Sequence, residues 1–337
     1  MTTSRQLVKN AIEGKGIDRI PICISFTPDE SNGRIVKEIE NDFESDILVV
    51  IQEDPEFVPI EEGYSQLGYK SETLGETRGE VSNPPLSDWE NLGCWKASLP
   101  NFSKECRYEN AKRLRTAHPD KFLVGGINQM MEEIINLRGY EDYMVDFYEE
   151  EENLKALIDT LYAIGKQIVD GYAKAGMDAV LAWEDWGLQH APMISHALWK
   201  KFFYAKMKDF VDYIHAKGMK YILHSCGHIL YLMDDFVDMG IDVLQLDQQN
   251  NMGLDKLNQW SKKICFWAPV DIQLSVNMTR DEMKAYIAEL VQKLGHEKGG
   301  FMYKPYCTPA AIHMSTAQLR QEMELMQEAW QIRSARK

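Results

Sequence analysis

Tyr221-Ile222-Leu223-His224-Ser225-Cys226-Gly227 is an apolar run that stops at a turn, the pattern of a buried strand with its end exposed to chemistry. Residues two apart on a strand point the same way, so His224 and Cys226 project together from its last residues. An imidazole and a thiolate side by side are half of a zinc site. A third soft donor, Cys307, stands far downstream in Lys304-Pro305-Tyr306-Cys307-Thr308-Pro309, where another apolar run (Gly299 to Tyr306) closes. The two stretches can meet only if their strands end on the same face of one sheet.

Other apolar runs supply that sheet. Strands are expected at Ile22 to Phe26, Asp46 to Gln52, Phe122 to Asn128, Asp178 to Glu184, Tyr221 to Gly227, Asp242 to Asp247, Cys265 to Asp271 and Gly300 to Tyr306. Helical patterns fall at 2–15, 102–118, 153–174, 195–217, 229–239, 279–294 and 316–332, with Ser195 as an N-cap and Gly176, Gly218 and Gly240 as stops. Strands covered on both faces and alternating with helices give an α/β fold, a (β/α)8 TIM barrel over residues 1–337. A doubly wound sheet is the other architecture, but no glycine-rich phosphate loop follows the first strand. Residues 53–102 break the rhythm with Gly63, Gly68, Gly75, Gly79 and Pro84-Pro85. They read as a long insertion after the second strand, a lid or docking surface, with Tyr64 to Leu67 and Gly79 to Ser82 as hairpin arms.

Barrel chemistry sits at the C-terminal ends of the strands. Asn128, Glu184, Asp185, His224, Cys226, Asp247, Asp271 and Cys307 all fall there. His224, Cys226 and Cys307 are three candidate metal ligands. Asp247, closing the next strand, competes with Glu184 for a fourth position. The plainer reading is a hydrogen-bonded histidine in a polar mouth beside an inert thiol. Trp183-Glu184-Asp185-Trp186 joins two carboxylates to two indoles, which suits a proton-handling Glu184 in an apolar pocket; a carboxylate tied into a helix cap is the alternative. Cys23 and Cys265 lie early in their strands and belong to the core.

A net charge of −15 excludes nucleic acid and anionic membrane surfaces as partners. The polar Met1 to Lys15 stretch and the lack of any long apolar run predict neither a signal peptide nor a membrane span. Six cysteines without close pairing suit reduced thiols in a cytoplasm.

Together, Asp18-Arg19-Ile20-Pro21, the Pro84 to Trp89 segment, Glu184-Asp185-Trp186-Gly187-Leu188-Gln189, His224-Ser225-Cys226-Gly227, Gly240-Ile241-Asp242-Val243-Leu244-Gln245 and Gly299-Gly300-Phe301 resemble the uroporphyrinogen decarboxylase-like superfamily. Decarboxylases of that superfamily carry an arginine-rich segment after the first strand. Here Ile22 to Asp29 has none, and the first arginine beyond it is Arg34. The chain is more similar to the corrinoid-dependent methyltransferase branch, whose zinc sites use His-x-Cys and a later Cys. That resemblance implies Zn2+ on His224, Cys226 and Cys307, with Asp247 where thiol-methylating members have Glu. It further implies a corrinoid (cobalamin) carried by a partner protein, and an O-demethylase role with a methoxylated aromatic as methyl donor. Glu184 and Asp271 would then be catalytic, and Trp186, Trp267, Tyr303 and Asn128 would line the substrate pocket. A metal-free decarboxylase of a small carboxylate and a non-catalytic binding protein are the competing readings. A homodimer is the expected assembly.

Overall fold

In the computed structural model, residues 2–24, 39, 42–74, 77–127 and 130–335 are described. Seven strands form one curled, all-parallel sheet: β1 (Ile47–Ile51), β4 (Phe122–Ile127), β5 (Ala179–Trp183), β6 (Lys220–His224), β7 (Val243–Gln245), β8 (Cys265–Ala268) and β9 (Phe301–Tyr303), paired in that order. Among the described residues the first expected strand is reduced to two, Ile22 bridging Tyr303 and Cys23 bridging Ile47. Those bridges join the last strand to β1 and give the sheet its TIM-barrel-like closure. Phe26 lies outside the described residues. The remaining two strands, β2 (Ser71–Leu74) and β3 (Thr77–Val81), form an antiparallel hairpin inside the insertion. This corrects the expected arms: Tyr64 to Leu67 is not a strand, and the pairing begins at Ser71.

Alternation along each strand sorts the apolar residues into two cores. Val124, Leu181, Ile222, Val243, Cys265, Trp267 and Met302 share the inner cluster, and Leu123, Val180, Leu223, Leu244, Phe266 and Tyr303 face the helices. Helix Ser4–Glu13 plugs the lower end. Thr3 caps it, Gly14 ends it in the left-handed region, and its Val8 and Ala11 join the inner cluster. Buried carboxylates fix this end: Asp46 takes Arg19, and Asp178 takes Arg5 and Arg115.

On the outside, helix Glu151–Ala175 packs its Leu154, Leu157, Leu161, Ile168 and Tyr172 stripe onto the sheet and stops at Gly176. Its Tyr172 hydroxyl reaches the Gly126 carbonyl (2.8 Å) and accepts from the Gln52 amide (2.8 Å). Two helices outside the expected set, Met130–Arg138 and Tyr140–Glu149, hold the insertion. Arg138 stacks 4.2 Å over the Trp89 ring, the Trp89 indole donates to Asp146, and the Leu86 amide donates to the Leu137 carbonyl. No helix among the described residues is long and apolar enough to cross a membrane.

Candidate metal centre at the barrel mouth

Parallel register decides which side chains share the mouth. Trp183 pairs with His224, His224 with Gln245, Gln245 with Trp267 and Trp267 with Met302. These five therefore form one inward-facing tier. His224 and Gln245 supply its polar arc, and the loops that follow β5, β6, β7 and β9 add Asp185, Cys226, Asp247 and Lys304 above it.

The loops after β5 and β6 are locked backbone to backbone. A Cβ on Gly227, where φ is +78°, would fall 2.1 Å from the Gly187 carbonyl oxygen, so only glycine fits. The His228 amide donates to the Leu188 carbonyl (2.8 Å), and the Trp186 amide donates to Ser225 Oγ (3.1 Å). This clamp brings Asp185 to the His-x-Cys motif. His224 Nε2 lies 3.4 Å from Asp185 Oδ1 and 3.5 Å from Cys226 Sγ, and the Cys226 amide donates to Asp185 Oδ1 (2.8 Å). The ligand atoms of Asp185, His224 and Cys226 all fall within 4.8 Å of one another.

A hydrogen-bond chain orients the imidazole from behind. Lys304 Nζ is 3.3 Å from Asp247 Oδ1, and Gln245 Nε2 donates to that same oxygen (2.7 Å). The amide of Gln245 thus turns its oxygen to His224, which donates from Nδ1. Nε2 is left facing Cys226 and Asp185. Asp247 therefore stands behind the donor set, and Asp185 is the carboxylate within it.

Electrostatics follow from this packing. Burial opposes a charged His224, but the Cys226 sulfur and the Asp185 carboxylate outweigh it and hold the imidazole pKa well above its ordinary value. Burial likewise opposes an ionised Asp185, yet the His224 contact lowers its pKa. Burial pushes the Cys226 thiol up. An imidazole nitrogen, a sulfur and a carboxylate oxygen clustered within ligand reach are a donor set that suits zinc, whose charge would draw off the thiol proton.

The other expected residues divide. Cys307 is half-buried beyond β9, with its sulfur 3.7 Å from Thr308 Oγ1, and does not lie within 4.8 Å of both His224 and Cys226. Its neighbour Tyr306 does sense the mouth: burial, then the charges of Cys307, Asp247 and Cys226, push that phenol up to about 12. Glu184 points outward, fully buried, with its carboxylate oxygens accepting from the Met130 and Met131 amides (3.3 Å each) at a helix N-terminus. Burial raises its pKa to about 8 against those two bonds. Asp271 accepts from the Asn250 and Gln273 amides and ties two loops together. Trp186 is enclosed by Trp199 and Phe203, at centroid distances of 6.1 and 4.9 Å. Tyr303 donates to Glu322 in the outer layer (2.8 Å). Trp267 lies inside the barrel with its indole N–H unpartnered. Asn128 lies outside the described residues.

Three contributors escaped the sequence reading. Trp183, not Trp186, is the indole of the inner tier, and its ring occupies space left by Gly126, where a Cβ would come within 2.7 Å of it. The other two are Gln245 and Lys304. Counting by two from Met302 reaches Lys304, whereas Trp183 and Gln245 emerge only from the register that pairs each with His224. Asp54, Glu56 and Cys106 also cluster, but Arg107 and Lys104 already neutralise Asp54.

One comparison with a known structure agrees with the architecture. A methyltransferase from Methanosarcina mazei superposes with a TM-score of 0.69 at 13% identity, covering 97% of this chain and 99% of that one. D-psicose 3-epimerase from Clostridium cellulolyticum H10 gives a TM-score of 0.48 at 10% identity, covering 92% and 98%. No curated protein matches. The family model "Uroporphyrinogen decarboxylase (URO-D)" matches residues 104–321, more than half of the chain. The chain therefore belongs to the uroporphyrinogen decarboxylase (URO-D) family.

Proposed function

We propose that this chain is a methyltransferase that moves a methyl group from a methylated small molecule, a methoxylated aromatic by first choice, to the Co(I) of a corrinoid carried by a separate protein. The observation that carries this reading is the donor set at the barrel mouth, His224 Nε2, Cys226 Sγ and Asp185 Oδ1 within 4.8 Å of one another. The likeness to the Methanosarcina methyltransferase bears on the fold alone at its level of identity.

Asp185, His224 and Cys226 would hold Zn2+, and the loop after β9 would have to move for Cys307 to join them. Bound zinc supplies Lewis acidity at the heteroatom that carries the methyl group, easing its departure. The protein's own groups do the rest. Gln245 keeps a proton on His224 Nδ1 and so reserves Nε2 for coordination, while Asp247 and Lys304 fix the direction of the Gln245 amide. His224 Nε2 and Cys226 Sγ would each have to give up a proton to hold the metal. Trp183 and Trp267 exclude water from the floor of the site. Glu184 supports the loop carrying Asp185 from the outer side of β5.

Metal content of the purified protein, followed by methyl transfer to reduced cobalamin, tests the proposal. Zinc near one equivalent that disappears in His224→Ala and Cys226→Ala, together with turnover of a methoxylated aromatic, is the expected result. Retention of zinc by both variants refutes it. The second reading, decarboxylation of a small carboxylate without metal, draws on Lys304, a buried cation in the mouth. That cation is already paired with Asp247. Carbon dioxide release by metal-free protein would favour this alternative.

A further inference from the structure

Beneath the insertion, on the outer side of β4, lies a cavity of about 330 Å3. We infer that it is a binding site for a small neutral aromatic molecule bearing one hydrogen-bond donor, a phenol in the simplest case. The inference does not rest on methyl transfer, because the cavity belongs to the layer between sheet and helices whereas His224 points into the barrel.

The walls define the ligand. Leu161, Ile164 and Ile168 present one face of helix Glu151–Ala175. Gly165 adds no side chain between them, and a Cβ there would meet the Met130 methyl at 2.7 Å. Phe57 and Phe102 close the opposite side, and Met130 forms the floor. An apolar space of this size with two aromatic walls matches a planar ring, the ligand such cavities favour.

Polarity narrows the choice further. Gln66 Oε1 is buried at this wall with no hydrogen-bond partner, an acceptor that a ligand donor would satisfy. Glu133, only 5% exposed, also lines the cavity, and among the described residues no lysine, arginine or histidine does. An anionic ligand would find no cationic side chain among these described lining residues to receive it. A neutral O–H or N–H donor on a ring fits both constraints. The floor also touches the metal side of the molecule, since the Met130 amide donates to Glu184.

Full-length protein labelled with 13C at its methionine methyl groups offers a direct test. Of the 17 methionines, Met130 should shift first and most on titration with phenol, its signal identified by Met130→Leu. Toluene, with the same ring and no donor, should bind several-fold more weakly, and benzoate should not compete. Gln66→Leu should lower phenol affinity several-fold and leave toluene unchanged, and Ile168→Trp should abolish both. Should Ile168→Trp fail to fold, the Gln66→Leu comparison and the Met130 shift still decide. Equal affinity for phenol and toluene, shifts centred on the inner-core Met302, or no perturbation of Met130 (a cavity holding water only) would overturn the assignment.

Discussion

The carbonyl oxygen of Gly187 occupies the place that a side chain on Gly227 would need, 2.1 Å from an added Cβ. The strand-end loops that carry Asp185 and Cys226 are therefore built against each other, and their contact sets the distance between the two donors. Gly218 has nearly the same backbone angle, +77° against +78°, but nothing within 4 Å. Gly218→Ala should cost about 1 kcal/mol from the left-handed backbone alone. Gly227→Ala should cost ~3 kcal/mol or more, because backbone must move as well. Urea denaturation of the pair separates conformational strain from close approach, and equal losses would show that the clamp is not rigid.

The donor set makes a prediction about metal that requires no substrate. Chelator should lower the melting temperature of zinc-loaded wild type and leave that of Cys226→Ala unchanged, since a ligand that binds only the folded state stabilises by mass action. Asp185→Asn should weaken zinc binding more than Asp247→Asn, because only the Asp185 oxygen lies within reach of His224 and Cys226. The reverse order, read from competition with a chelating dye, would return Asp247 to the metal.

Gln245 turns a neutral amide into a directional device. Its nitrogen donates to Asp247, so its oxygen has to face His224. Gln245→Leu keeps the volume and leaves the Nδ1–H of His224 and the Asp247 carboxylate without this partner. Zinc affinity should fall about 10–100-fold, the usual loss when a group supporting a ligating histidine is removed. An unchanged affinity with intact circular dichroism would show that packing alone orients the ring.

Much of this was legible in the sequence. Unbroken apolar strands and glycine-stopped helices gave the barrel, and His224-x-Cys226 marked its reactive end. What escaped has physical causes. Among the described residues the first strand amounts to Ile22 and Cys23, whose two bridges join β9 to β1. Trp186 looked like the pocket indole because it neighbours the carboxylates, yet only register with His224 reveals that Trp183 faces inward. Glu184 and Asp185 are adjacent in sequence and opposite in space, one capping a helix and one beside the imidazole. Adjacency in a strand separates side chains as often as it joins them.

Glu322 yields a prediction about pH. Its carboxylate is buried between β9 and helix Thr316–Ala335, accepting from the Tyr303 hydroxyl (2.8 Å) and the Val270 amide (3.3 Å). Burial pushes its pKa up from 4.5 to about 7, against the pull of those two bonds. The folded protein therefore keeps a proton that the unfolded chain has lost, and bound protons on the folded side make stability fall as pH rises. Its contribution is complete below pH 4.5, declines through the window up to about 7 and is level beyond it. Over that window the loss is of order 3 kcal/mol. Glu184, raised to about 8, slopes the same way, so the difference between two proteins is the quantity to read. Glu322→Gln retains an acceptor for Tyr303 and cannot ionise. Relative to wild type, it should gain stability steadily between pH 5 and 7 and hold that gain at pH 8, as followed by urea midpoints. A difference that does not change with pH would mean that water reaches Glu322 and that the barrel is open at this seam.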